Sequence, residues 1–245
     1  MRILAVRRSD LSHLQFDWNK MKLLDLFCGV GGASVGYGWA GFEVHGVDLK
    51  HGKRYPKYPY NYLRADVLDV IKDQEFIQQF DVIHASPPCQ THSITKHLRN
   101  AQGNSTSKLD LIPETRAALI LSGKPYIIEN VPGSPLIDPI QLCGSSFGLK
   151  VRRHRLFESN MKLQGSICNH KDQGKPVGVY GSMGDQPQGL NKANGKYVYG
   201  GQVARSIQEA RDAMGMDWGI WSELKEAIPP AFTKYLGKQL IRLAV

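Results

Sequence analysis

Lys22-Leu-Leu-Asp-Leu-Phe-Cys-Gly-Val-Gly-Gly32 joins an apolar run of strand length to a turn built on glycine. Gly29, Gly31 and Gly32 open backbone conformations closed to other residues and let a ligand approach the main chain. Ala33 to Trp39 is predicted as a short helix stopped at Gly41, and Glu43-Val-His-Gly-Val47 as a second strand ending at Asp48. Strand, glycine turn, helix, strand and terminal acid, in that order, make a βαβ unit.

The alternation continues outward. Asp69 to Gln79 has helical spacing, Phe80 to His84 reads as a strand, and Pro113 introduces a helix over Glu114 to Leu121. Tyr126 to Ile128 follows as a strand after Gly123-Lys-Pro. Helices are also predicted over Ala204 to Met214 and Pro230 to Leu240. The fold class is therefore α/β. Residues 91–112 are polar and long for a connection in a compact domain, which predicts a mobile lid. The glycine-rich stretch 160–202 predicts loops and short strands in a small irregular module. The expected organisation is a catalytic and cofactor-binding domain over 1–158, a small module over 159–202, and a segment returning to the first domain over 203–245.

A chain of 245 residues with 42% apolar and 22% charged residues can bury one substantial core. It has no apolar run of transmembrane length and no secretory signal pattern at its start, so a cytoplasmic protein without a membrane partner is expected. A net charge of +9 favours an anionic partner, with basic residues concentrated at Lys50, Lys53, Arg54 and Lys57 and at Lys96, Arg99 and Lys108. The four cysteines are too scattered for a disulfide framework. Cys143, His154, Cys168 and His170 have zinc-compatible side chains but lack paired C-x2-C spacing, so no metal is expected.

Two strand ends carry reactive groups. Asp81-Val-Ile-His-Ala-Ser-Pro-Pro-Cys-Gln90 runs from a strand through a double proline to a thiol, Cys89, and Tyr126-Ile-Ile-Glu-Asn-Val-Pro132 delivers Glu129 in the same way. Two prolines are an expensive way to place an inert core residue, so Cys89 reads as a nucleophile. Cys28, beside the glycine turn, reads as packing. Asp25, at the end of the first strand, is unfavourable beside a pyrophosphate and suits a cationic or zwitterionic ligand. S-adenosyl-L-methionine fits, with Asp48 placed to accept from ribose hydroxyls and Asp66 from an adenine amino group.

Taken together, these residues resemble the DNA (cytosine-5)-methyltransferase family. The cofactor motif is Asp25-Leu-Phe-Cys-Gly-Val-Gly-Gly32, the prolyl-cysteine motif Ser86-Pro-Pro-Cys-Gln90, the glutamate motif Glu129-Asn-Val131, and the paired-arginine motif Arg153-His-Arg155. The resemblance implies a Rossmann-like S-adenosylmethionine-dependent methyltransferase sheet with a target-recognition region in 160–200. It implies catalysis by Cys89, Glu129, Arg153 and Arg155, with Asp25, Phe27, Gly29, Gly31, Gly32, Asp48, Leu49, Asp66 and Pro87 binding the cofactor. The implied substrate is cytosine flipped out of double-stranded DNA, methylated at C5 by a monomeric enzyme through a covalent adduct of Cys89 with C6. Methylation of RNA or a free cytosine nucleotide, or a non-catalytic DNA-binding role, are the alternatives. Tyr180, Tyr197 and Tyr199, with Lys171, Lys175, Lys192 and Lys196, are candidates to face DNA. The compact recognition region points to a stand-alone enzyme of a bacterium or bacteriophage, of the restriction-modification kind. Two positions depart from the family pattern: Val151 stands for the glutamine before the arginine pair, and Glu226 for the asparagine of the late Gly-Asn motif.

Overall fold

The computed structural model describes residues 20–49, 60–88, 110–184 and 202–244. Seven strands, β1 (Lys22–Leu26), β2 (Glu43–Asp48), β3 (Asn61–Arg64), β4 (Val82–Ala85), β5 (Tyr126–Asn130), β6 (Ile140–Leu142) and β7 (Arg155–Ser159), form one sheet. Their order is β3-β2-β1-β4-β5-β7-β6. The first five pair in parallel, while β7 runs antiparallel to both β5 and β6. The helices are α1 (Gly32–Ala40), α2 (Val67–Val70), α3 (Gln74–Gln78), α4 (Ile112–Ser122), α5 (Ile207–Met214), α6 (Trp221–Leu224) and α7 (Pro230–Ala244).

Adjacent strand residues point to opposite sides of the sheet, and both sides are covered. Leu23, Val82 and Ile127 pack with Tyr37 of α1 and Phe232, Leu236 and Leu240 of α7. Their neighbours Leu24, Ile83 and Ile128 pack on the other face with Val67, Ile71, Ile77 and Leu119. Each such side chain, taken fully out of water, contributes roughly 1.5–3 kcal/mol before chain entropy is counted. That requirement explains why these strands read as continuous apolar runs. Because β1 lies between β2 and β4, the chain reverses its direction of travel across the sheet there. Open α/β sheets bind ligands at the carboxyl end of such a reversal.

Three elements differ from expectation. The helix predicted over 69–79 is two short helices. Asp66 caps the first by accepting from Leu68 N, and Asp73 caps the second by accepting from Phe76 N. Short acceptor side chains compete with helix continuation and restart it instead. Helix α5 begins at Ile207 rather than Ala204, because Ser206 caps it and Ala204 N bonds to Gly178 O. Strands β6 and β7 were not foreseen, since their partners are set by the sheet and not by local pattern.

Within 159–202 the described residues hold little regular structure. A short parallel pair, β8 (Val177–Gly178) and β9 (Gln202–Val203), sits beside a second apolar cluster of Val30, Val151, Val179, Ala213, Met214 and Leu224. The basic stretch 50–57, the expected lid apart from 110–112, and Lys192, Lys196, Tyr197 and Tyr199 lie outside the described residues. No helix among the described residues is long and apolar enough to cross a membrane.

Candidate active site

The ends of β4, β5 and β7 converge. Ser86 N donates to Leu26 O at 3.1 Å, which ties the start of the double-proline turn to β1. Pro87 is buried, and its carbonyl accepts from Asn130 Nδ2 at 3.0 Å. Asn130 Oδ1 accepts in turn from Val131 N. One amide therefore clamps the strand that leads to the thiol against the strand that carries the acid. Asn130 lies inside the glutamate motif, but nothing in the sequence marked it as this clamp. Pro88 is exposed, and Cys89 lies just past the described residues.

Glu129 is 6% exposed. Burial raises its pKa, opposed by the positive charges of Arg155 and Arg153. Arg155 Nε stands 2.9 Å from Glu129 Oε1. The N–H does not point along that line, so this is an ion pair without an aligned hydrogen bond. The register explains the approach: Glu129 lies opposite Phe157 in the β5–β7 pair, which sets Arg155 at the mouth of the strand. A buried acid whose burial favours the protonated form, next to a fixed guanidinium, can in that form donate to a ring nitrogen and accept from an amine.

Arg153, the other arginine of the motif, is anchored on the backbone. Its backbone is left-handed, at φ 37°. Its guanidinium donates to the carbonyl oxygens of Lys225 and Val179. The side chain thus ties the arginine motif to Val179 of the glycine-rich stretch and to the segment before α7. Glu226, the departing position, is next to that anchor. Val151, the other, is buried in the second cluster.

The glycine turn lies at the end of β1. Phe27, Gly29 and Gly31 have φ of 59°, 51° and 80°, so this turn is left-handed at three positions, one of them not glycine. Gly29 N donates to Asp48 Oδ2 at 3.0 Å, and Tyr62 Oη donates to the Asp48 carbonyl. Leu49 is 58% exposed beside them, an apolar surface where β2 ends. Asp66 spends one oxygen on its helix cap. Gly32 has a reason that is internal: a Cβ there would stand 2.2 Å from the carbonyl oxygen of Ile228. Trp218 Nε1 donates to Val30 O at 2.8 Å, so late residues close over the turn.

Asp25 is fully buried and accepts from Ser34 Oγ, while its Oδ1 has no hydrogen-bond partner. Burial, with Asp48 and Glu129 nearby, pushes its pKa up to about 7. A buried carboxylate oxygen without a donor calls for a cationic or hydrogen-bonding ligand. That requirement, with Asp48 and the open glycine backbone, fits S-adenosylmethionine. Cys28 is buried, as packing requires.

The spacing argument against a metal did not anticipate the fold. Cys143, His154, Cys168 and His170 come together, their ligand-type atoms all within 4.8 Å of one another. The antiparallel pairing of Leu142 with Arg155 sets Cys143 beside His154. Residues 165–170 then double back along β6, where Ser166 N donates to Gln141 O. A buried bidentate pair was also missed: Arg116 of α4 holds Glu158 of β7 through two contacts of 2.7 Å.

Residues 21–135 match the family model described as C-5 cytosine-specific DNA methylase, which shows the resemblance over that segment. The Type II methyltransferase M.NgoPII of Neisseria gonorrhoeae is 30% identical over 86 residues, 34% of this chain and 25% of that protein. M.HgiGI of Herpetosiphon aurantiacus is 28% identical over 117 residues, 45% of this chain and 90% of that protein. Among solved structures, a putative DNA modification methyltransferase from an E. coli prophage aligns with a TM-score of 0.59 and 16% identity, covering 92% of this chain and 99% of that one. The S. pombe Dnmt2 methyltransferase aligns with a TM-score of 0.57 and 15% identity, over 92% and 99% of the two chains. The fold is thus the Rossmann-like methyltransferase fold with a mixed sheet and a small extra module.

Proposed function

We propose that this chain, matched over residues 21–135 to the C-5 cytosine-specific DNA methylases, transfers a methyl group from S-adenosylmethionine to C5 of cytosine in DNA. The observation that carries the reading is the junction of the Asn130-clamped prolyl turn, the buried Glu129 and Arg155 at the carboxyl end of adjacent strands. Asp25, the glycine turn, Asp48, Leu49 and Asp66 would hold the cofactor, which supplies an electrophilic methyl on a sulfonium when bound.

Cys89 thiolate adds to C6, and the ring electrons move onto C5. Glu129, whose protonated form burial favours, donates to N3 in that form, so the ring accepts that density without building a full negative charge. Arg155 holds the Glu129 carboxyl in place and faces the base from the β7 side. After C5 takes the methyl, a base removes the C5 proton, the C5–C6 double bond re-forms and Cys89 leaves as thiolate. Arg153 acts by position. In a duplex, C5 and C6 are out of reach of the thiol, so the cytosine is flipped at a cost of a few kcal/mol. Exposed Lys171, Lys175 and Tyr180 belong to the face expected to meet phosphates, and the enzyme acts as a monomer.

Methyl-labelled S-adenosylmethionine supplied with duplex DNA, RNA or dCTP, to wild type and Cys89→Ser, tests this. Label at C5 of cytosine in DNA, absent with the variant, is expected. Label only in RNA or dCTP would move the substrate class. No transfer to any of them, from protein shown to bind the cofactor, would end the enzymatic reading.

A further inference from the structure

Four side chains from three segments of the chain make a second centre that the proposed methyl transfer does not use. Cys143 follows β6, His154 precedes β7, and Cys168 and His170 lie on the strand-like return at the start of the recognition region. Cys143 Sγ is 3.2 Å from His170 Nε2, and Cys168 Sγ is 3.3 Å from His154 Nε2. The two imidazoles face each other edge to plane, with centroids 5.2 Å apart.

These dimensions are informative. Zinc binds sulfur at about 2.3 Å and imidazole nitrogen at about 2.0–2.1 Å, which spaces the corners of a tetrahedron about 3.3–3.8 Å apart. The two sulfur–nitrogen separations stand at and just below the short end of that range, and the widest of the set is within 4.8 Å, so small shifts of the side chains would admit the ion. Two sulfurs and two nitrogens, the latter both Nε2, form the set that soft-to-borderline divalent ions select over magnesium or calcium. Polar groups also support the ligands. Ser145 Oγ stands 3.1 Å from Cys143 Sγ and itself accepts from Asn169 N, and Gln141 Nε2 approaches Cys168 Sγ at 3.9 Å. Outer partners of this kind orient metal ligands and temper thiolate charge.

We propose that Cys143, His154, Cys168 and His170 bind one zinc ion in a closed, four-coordinate structural site. Binding replaces the two thiol protons, which leave to solvent, including the one that Cys143 directs at the Arg152 carbonyl. Four protein ligands leave no open position for water, so the ion holds structure and performs no chemistry. What it holds is specific. His154 stands between Arg153 and Arg155, so the ion fixes the arginine motif from its middle residue and pins the recognition region to the sheet edge. Cys168 and His170 are the two ligands that the recognition region contributes.

The test begins with metal content. Full-length protein, purified without chelator, should carry close to one zinc per chain by plasma mass spectrometry. Zinc removal should lower the melting temperature by several degrees, and added zinc should restore it. Cobalt in place of zinc should give the visible bands of a tetrahedral thiolate site, lost in Cys168→Ser and in His170→Ala. Wild-type protein free of metal after growth in zinc, silent toward cobalt and unchanged in melting, would overturn the proposal, as would a Cys143–Cys168 disulfide in the purified protein. If the variants fail to fold, the wild-type stoichiometry and cobalt spectrum still decide. None of these readouts depends on methyl transfer, so this site and the proposed activity stand or fall separately.

Discussion

The parallel half of the sheet and its antiparallel edge are built by different rules. In β1, β4 and β5 the strand is specified by its own apolar run, and Asp25 and Glu129 stand toward the ends of such runs. At the edge, β6 has only three residues, and side chains hold it and β7 in place. Arg116 grips Glu158, Arg153 reaches two distant carbonyls, and the cysteine–histidine quartet gathers three segments. The first half sets out the chemistry; the second aims it. Damage to the two should therefore differ in kind.

The largest expected effect is on the parallel side. Cys89→Ser should abolish methyl transfer, by at least about 10⁴-fold in kcat, with melting near wild type. Glu129→Gln keeps the shape but cannot supply the acid proton, and should lose about 10²- to 10³-fold in kcat. Single-turnover rates with labelled cofactor measure both. At the edge the expected loss is of stability. Arg116→Ala leaves Glu158 buried and uncompensated, its side chain 4% exposed, and should cost about 3 kcal/mol in urea unfolding. An Arg116→Ala protein as stable as wild type but catalytically dead would erase the distinction.

A smaller effect concerns pH. Asp25 holds its proton to about pH 7 when folded and releases it near 3.8 when unfolded. The native state therefore binds more protons across that window, and stability falls as pH rises through it. His84 is also fully buried, with its pKa lowered to about 3, and it tilts stability the opposite way as pH falls below 6.5. Both proteins share that histidine, so the difference between wild type and Asp25→Asn isolates the carboxyl. The Asn variant should gain on wild type from pH 4 to pH 7, by about 1.4 kcal/mol per unit at full slope. A difference that stays flat with pH would place an ordinary carboxyl at position 25.

The same division explains what was legible. Leu23 and Leu24, Val82 and Ile83, and Ile127 and Ile128 announce two-sided burial in any reading of the chain, and they fix where Asp25 and Glu129 come on their strands. Gly41 stops α1 as its lack of a side chain permits. Arg155 was found through its motif, but its approach to Glu129 depends on a strand direction that no local pattern encodes. The quartet escaped because ligand spacing in sequence is informative only when one hairpin or helix supplies neighbouring ligands. Here the sheet brings them together from 28 residues of chain. Gly32 was read as a ligand contact, yet its lack of a side chain makes room for Ile228, which arrives 196 residues later.

That late arrival has a consequence for synthesis. Helix α1 is made early, but Thr233 Oγ1, which donates to Ala33 O, follows 200 residues later. Gly36 waits equally for the Pro230 carbonyl that would stand 2.1 Å from any Cβ there. At about 5–20 residues per second, roughly 10–40 s pass on the ribosome before α1 can be covered. During that interval the apolar side of α1, with Tyr37 and Phe42, has no native partner from α7. A ribosome stalled before residue 230 would carry a nearly complete sheet with one face still sticky, a substrate for chaperones. The last helix thus acts as the release signal of the fold.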